Sequence, residues 1–437
     1  MAVEAAPFEG EESELMRQPR AALAAILTAC AAAAVPLAAG QAQPSAQTPR
    51  QLTLSRQERS ALLALQAAAA GPDRAAQDSA LAAARSAAQS VDARYAVASL
   101  AYQIARSRSD ARAMNIAADE MLATNIPQGT ELAALLATQV SRAYSANDLR
   151  RTDALLARMV EADPNNPAIL ADHGQFKARL GDRPAAVALF QRALAAQRAR
   201  GQVAPESWYQ RALAIAVDGR LASQSATLGR ELLVHYPSAA NWRDALLALR
   251  VGEPPVRAGT APPPPADPAL DLDIRRLARA ANALAGERDY LEFAQALTRA
   301  SQPGEAKAVL DEGVSRGALD PNEAIVRQQI TAATAAAARE RAGLAALRTR
   351  ALAGDAAALI AAGDAHFGNG QYLPAAELYR AALQRGAVDP ALVNTRLGAS
   401  LALAGQRAEA EAALRAVTGP RAGLSSYWLA WLARRPA

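Results

Sequence analysis

The chain has 437 residues, 47 basic and 42 acidic side chains, and a formal net charge of +5. That length suits two or three ordinary domains or one long solenoid. With 51% hydrophobic but only 4% aromatic residues, alanine dominates the apolar set and points to helices rather than sheets. One cysteine and three scattered histidines exclude a disulfide framework and the paired spacings of zinc motifs. Arginines alternate with acids instead of forming blocks, which speaks against nucleic acid as a partner.

The first 15 residues carry five glutamates, unlike a signal-peptide n-region, whereas Met16-Arg17-Gln18-Pro19-Arg20 followed by the apolar run Ala21–Gly40 reads as one. Translation is therefore expected to start at Met16, with residues 1–42 comprising an upstream extension and a signal peptide cleaved near Ala42. Two alternatives stand beside this. The run is about 20 residues, long enough for an uncleaved anchor. Leu27-Thr28-Ala29-Cys30 also resembles a lipobox, which would make the protein an outer-membrane lipoprotein through Cys30. Membrane contact is expected only in those two cases. Cleavage near Ala42 leaves a periplasmic protein with no thiol.

Residues 43–54 read as a flexible lead-in, and helical periodicity starts at Ser55. Turn signals follow at Gly71-Pro72-Asp73, Ser109-Asp110, Asn147-Asp148, Gly181-Asp182 and Gly219. Asn147-Asp148 recurs 34 positions later as Gly181-Asp182, and Gly363 and Gly370 recur 35 positions later as Gly398 and Gly405. A fixed period of this size marks stacked helix hairpins, each burying its apolar face against its neighbours. The alternative is an alanine-rich bundle without repeats. Residues 55–251 form a first helical array. Residues 252–268, with Pro262 to Pro265 consecutive, read as a linker or a long loop. Residues 269–437 form a second array, within which 322–353 is helical without a repeat signature. The last helix carries Tyr427, Trp428 and Trp431, and reads as a cap on the last repeat, a partner-docking helix or a membrane contact.

In the unit from Pro167, the residues Leu170, Gly174, Gly181, Ala186, Phe190 and Ala193 alternate large and small in the manner of a tetratricopeptide repeat. Leu359, Gly363, Gly370, Tyr372, Ala375, Tyr379 and Ala382 do the same, as do Leu397, Gly398, Gly405, Ala410 and Leu414. The chain thus resembles the tetratricopeptide repeat family. The segments Ala285–Glu292 and Asn394–Ala399 are also similar to secreted alphaproteobacterial members, which implies no activity. The resemblance implies an all-α fold, a right-handed superhelical solenoid of antiparallel helix hairpins, in one or two arrays. It also implies a concave groove lined by the first helix of each hairpin. Carried over by position, the groove residues are Ser141, Tyr144, Gln175, Arg179, Tyr209, Asp364 and Phe367. The aromatics would anchor apolar side chains, while Gln175 and Arg179 would hold a backbone or a carboxylate.

No P-loop, dinucleotide fingerprint or nucleophile elbow occurs, so no cofactor and no small-molecule substrate are expected. Glu206-Ser207 matches a dipeptide of peptidoglycan lyases, but Pro205 makes Glu206 an ordinary first-turn acid. The expectation is a non-enzymatic periplasmic scaffold that binds envelope or exported proteins. An accessory subunit of a polysaccharide or pilus export machine is the alternative, and a cell-wall lytic enzyme the remote one.

Overall fold

The computed structural model describes residues 52–249 and 267–434. The upstream extension, the signal segment with Met16, Cys30 and Ala42, and proline-rich residues 252–266 lie outside the described residues. Every regular element among the described residues is helical. Contacts divide the chain into two compact units, with the boundary between Gly201 and Gln202.

The N-terminal unit holds α1 (Arg56–Ala70), α2 (Arg74–Ala87), α3 (Val91–Ser107), α4 (Ala111–Ala123), α5 (Gly129–Ser145), α6 (Leu149–Ala162), α7 (Pro167–Arg179) and α8 (Arg183–Ala199). They pair as consecutive hairpins, α1 with α2 through α7 with α8. The recurrent residue-plus-aspartate turns explain the pairing. Ser109, Asn147 and Gly181 take left-handed backbones (φ 56°, 54° and 82°), and the following Asp110, Asp148 and Asp182 cap the next helix through their carboxylates. Amides of those aspartates bond back to the carbonyls of Ala105, Ala143 and Lys177 at 2.9–3.0 Å, closing each first helix in a Schellman turn. Each aspartate cap contributes about 1 kcal/mol.

The C-terminal unit holds α9 (Glu206–Asp218), α10 (Ala222–His235), α11 (Ala239–Ala248), α12 (Pro268–Ala280), α13 (Glu287–Arg299), α14 (Pro303–Ser315), α15 (Ala324–Ala353), α16 (Ala356–Gly368), α17 (Tyr372–Gln384), α18 (Pro390–Leu403), α19 (Arg407–Arg415) and α20 (Ala422–Ala433). Gly219 is the C-cap of α9, and Arg220 after it takes the left-handed position at φ 53°. Helices α9 to α11 precede the proline-rich segment yet belong to the same unit as the helices after it. The unit closes on itself, because α20 packs against α10. The Tyr427 hydroxyl donates to the Ala226 carbonyl at 3.4 Å, and the Trp431 indole donates to Ala280 at 3.0 Å. Trp428 and Trp431 are buried and meet edge to face, their ring centroids 5.4 Å apart.

Small residues set the distance between hairpin partners. A Cβ on Gly174 would lie 3.1 Å from the Phe190 ring, one on Gly363 2.6 Å from Tyr379, and one on Gly398 2.5 Å from Leu414. In each case the large residue stands 16 positions after the glycine, on the second helix of the hairpin. Removing the Cβ lets the two backbones approach until the aromatic or leucine is sealed. Phe190, Tyr379 and Leu414 are all 1% exposed or less, each burial contributing about 1.5–3 kcal/mol.

The stretch without a repeat signature is one 30-residue helix, α15. Val326, Ile330, Ala333, Ala337, Leu344, Leu347 and Ala351 form its inward stripe, spaced in threes and fours with Glu340 in the same series. That spacing keeps one narrow face against α14 and α16 over the whole length.

Candidate partner-binding site

On α5, Ser141 and Tyr144 are three residues apart and share a face. On α7, Gln175 and Arg179 are four apart and do likewise. The structure brings these faces together. The Arg179 guanidinium lies over the Tyr144 ring, 4.9 Å from its centroid. Tyr144 also meets the edge of Phe176, ring centroids 6.3 Å apart, and so ties α5 to α7. Tyr144 is 45% exposed, and Arg179 is exposed with no carboxylate partner among the described residues. Ser141 and Gln175 are half-buried, and the Gln175 Oε1 is a buried acceptor without a hydrogen bond among the described residues. This face therefore offers an aromatic surface, a free cation and one unsatisfied acceptor.

The other three expected groove residues are interior in the C-terminal unit. Tyr209 is 2% exposed, its ring 5.6 Å from His235 and 6.0 Å from Tyr236. Asp364 and Phe367 sit on α16, Phe367 beneath the Arg276 guanidinium of α12. The Asp364 carboxylate accepts from the Tyr379 hydroxyl at 2.6 Å, Arg396 at 2.7 Å and Gln302 at 3.3 Å. Phe367 is covered by the Arg276 guanidinium at 4.6 Å.

Helix α12 supplies the centre of a buried charge cluster. Asp273 accepts from Arg276 (3.0 Å), Arg396 (3.1 Å) and Arg421 (2.8 Å). Arg276 in turn donates to Glu305 at 2.7–3.2 Å and to Gln302 at 2.5 Å. Three guanidiniums face the carboxylates of Asp273, Glu305 and Asp364, and all six residues are buried. Burial by itself disfavours the Arg276 charge, but Glu305, Asp273 and Asp364 outweigh it and hold the group protonated far above neutral pH. Burial and the adjacent Asp364 carboxylate keep the Tyr379 phenol protonated, as a donor. Buried pairs of this kind give little net stability over apolar replacements, but removing one partner alone is costly.

The alternation of arginines with acids along the sequence does not single out this cluster. A signal was present: α12 reads Leu270-Asp-Leu-Asp-Ile-Arg-Arg-Leu277, where Asp273 precedes Leu277 and Leu272 precedes Arg276 at i, i+4. Asp273 and Arg276 thus share faces with Leu277 and Leu272.

The histidines are packing residues. His173 pairs through Nε2 with Asp153 at 2.9 Å, and His366 through Nδ1 with Gln371 at 2.6 Å. His235 is exposed against Tyr209. The Glu206 carboxylate accepts from Asn241 at 2.6 Å and Gln210 at 3.3 Å, tying α9 to α11. Among the described residues, no cluster of three His, Cys, Asp or Glu side chains is placed to hold a metal ion. No helix among them is long and apolar enough to cross a membrane.

No family model matches the sequence, and no curated protein matches it. Solved structures that match include a tetratricopeptide repeat protein from Parabacteroides merdae ATCC 43184. It is 13% identical, with a TM-score of 0.28, over 61% of this chain and 97% of that one. Another is the structure of Naa15/Naa10 bound to HypK-THB, at 11% identity and a TM-score of 0.29, over 76% of this chain and 64% of that one. The glycine-to-aromatic register and the repeated Schellman turns make each unit a helix-hairpin array similar in fold to tetratricopeptide repeats.

Proposed function

We propose that the protein is a non-enzymatic scaffold that binds another protein through the α5/α7 face. The observation that carries this reading is the exposed Arg179–Tyr144 stack. Large aromatic side chains and unpaired arginines are the residue types that anchor protein interfaces. Tyr144 ties α5 to α7 through Phe176, yet it stays 45% exposed with Arg179 stacked on its ring. We further propose export to the periplasm through the segment beginning at Met16, with envelope or exported proteins as partners. The Leu27-Thr28-Ala29-Cys30 sequence supports a second reading, a lipid-anchored accessory subunit of an export machine.

Photo-crosslinking in the native cell, from a crosslinker replacing Tyr144, tests the scaffold reading. The expected result is one dominant captured chain, lost when Arg179→Ala is added. A diffuse set of captured chains that ignores Arg179 overturns it. Fractionation of the same cells separates the two addresses: sedimentation with outer membrane favours the anchored subunit, and release with periplasm favours the free scaffold.

A further inference from the structure

The C-terminal unit holds an open cleft of about 200 Å³ where α11, the end of α12 and α20 meet. Trp242, Trp431, Pro237, Ala280, Asn282 and Arg434 line it. Two of the chain's four tryptophans thus reach one small cleft from helices far apart in sequence. Trp431 is held in place there. Its indole N–H donates to the Ala280 carbonyl at 3.0 Å, and its ring meets Trp428 edge to face with centroids 5.4 Å apart. Trp242 is 3% exposed and fixed by the core around it.

The polar groups at the cleft leave donors to spare. A helix ends in four carbonyls that need partners. At the end of α12 all four have them. Leu277 accepts from the amide of Ala281 at 2.9 Å, Ala278 from Ala283 at 2.8 Å, Arg279 from Asn282 at 3.0 Å, and Ala280 from the Trp431 indole. The Asn282 side-chain oxygen accepts from Arg316 at 2.8 Å. Arginine only donates, so this bond fixes which end of the Asn282 amide is the oxygen. The two N–H donors of that amide carry no hydrogen bond among the described residues. Arg434 is exposed, donates only to the Pro237 carbonyl at 3.4 Å, and has no carboxylate partner among the described residues. No acidic side chain lines the cleft among the described residues.

We infer that this cleft binds an aromatic carboxylate, with its ring against Trp242 and Trp431 and its carboxylate on Arg434 and the Asn282 amide. The guanidinium is the residue type that grips a carboxylate, and paired aromatic rings gain beyond their buried area. A cation is disfavoured, because Arg434 repels it and no acid is there to receive it. The volume is below the roughly 300–1,000 Å³ of pockets for larger ligands, so it suits one ring and its acid group. A free aromatic acid and the C-terminal residue of a polypeptide present the same chemistry. The site is independent of the scaffold reading, and neither stands or falls with the other.

The probe is N-acetylphenylalanine, titrated into the full-length protein and followed by ligand-observed NMR and by tryptophan emission. The expected result is saturable binding that changes the emission, with N-acetylphenylalaninamide at least about tenfold weaker. Arg434→Ala should weaken the acid about tenfold and leave the amide unchanged. Asn282→Gly keeps the left-handed backbone (φ 56°), removes the side-chain donors and should also weaken the acid. Arg434 is exposed at the end of α20, so its variant should fold, and an unchanged urea midpoint checks this. N-acetyl-4-azidophenylalanine should label α11 and α20 on illumination. A pentapeptide ending in phenylalanine with a free carboxylate separates the sources. Binding as tight as that of the free acid identifies a chain terminus as the ligand, and exclusion identifies the free acid. Absence of saturable binding, equal affinity for acid and amide, indifference to Arg434→Ala, or labelling away from α11 and α20 each overturns the site.

Discussion

Phe367 lies beneath the guanidinium of Arg276, whose Cζ is 4.6 Å from the ring centroid, and the same guanidinium grips Glu305 at 2.7 Å. Arg276 is thus the cation that makes burial of Asp273 and Glu305 tolerable. Arg276→Ala leaves Glu305 without its nearest positive partner, and Asp273 with Arg396 and Arg421 alone, in an interior that cannot solvate an unpaired acid. The C-terminal unit should lose about 3–5 kcal/mol. Arg276→Met combined with Glu305→Leu should recover much of that loss, because it removes both charges. All four tryptophans, Trp208, Trp242, Trp428 and Trp431, lie in the C-terminal unit. Tryptophan fluorescence in a urea titration therefore reports this unit alone. Equal midpoints for Arg276→Ala and the double variant would refute the charge-pairing account.

Gly363 and Gly343 make a contrasting pair. A Cβ at Gly363 would stand 2.6 Å from the Tyr379 ring, which is fully buried and cannot swing away. Gly363→Ala should cost about 1–3 kcal/mol by overpacking. Gly343 sits inside α15 with no atom within 4 Å of its would-be Cβ. There the same substitution should stabilise by up to about 1 kcal/mol through helix propensity. The tryptophan-detected midpoints should move in opposite directions, and a loss at both positions would mean that α15 packs differently from what is described.

The hairpins were legible because their determinants are local. Turn dipeptides such as Asn147-Asp148 and the 16-residue step from Gly174 to Phe190 act within one unit of the repeat. That Tyr144 and Arg179 lie on neighbouring first helices was legible for a related reason, since one period separates those helices, but their stacking was not. The interior positions of Asp364 and Phe367 were not, because they depend on residues outside their own hairpin, Arg396 and Gln302 on Asp364 and Arg276 over Phe367. Asp273 reaches Arg396 across 123 residues of sequence. No periodicity within α16 reveals that another helix lies on it. The division at Gly201 escaped similarly: α9 to α11 join the later helices through contacts such as Tyr427 to Ala226, 201 residues apart. Composition points instead to the prolines after Gly252.

Arg220 holds the left-handed place in its hairpin that Gly181, Gly370 and Gly405 hold in theirs, with φ 53°. Its amide bonds to Val217 at 3.0 Å, and Leu221 bonds back to Ala216 at 2.8 Å, the same Schellman pattern. A side chain with a Cβ is strained there by about 1–2 kcal/mol, which glycine avoids at some cost in unfolded-state entropy. Arg220→Gly should stabilise the C-terminal unit by about 0.5–1 kcal/mol. The tryptophan-detected urea midpoint should rise. A fall would show that the Arg220 side chain contributes more than its backbone strain costs.

Glu58 clamps the start of the N-terminal unit. Its Oε1 accepts from the amides of Ser90 at 2.7 Å and Gln89 at 3.1 Å, and its Oε2 from the amide of Ser55 at 2.8 Å. The Ser55 bond completes the capping box of α1, while the Ser90 bond ties α1 to the N-terminus of α3. The amides of Ser90 and then Ser55 stabilise the carboxylate and lower its pKa from 4.5 to about 2. A depressed acid pKa contributes stability that is present above the unfolded value and lost as pH falls through the folded one. The clamp should therefore be intact above pH 4.5 and weaken progressively toward pH 2. Amide hydrogen exchange along α1 and α3, corrected for intrinsic rates, should show protection falling through that window in the wild type. In Glu58→Gln, protection should be lower at neutral pH and its decline across the window shallower, because this titration is gone. Identical profiles for the two proteins would place the acid sensitivity of this end of the chain in another carboxylate.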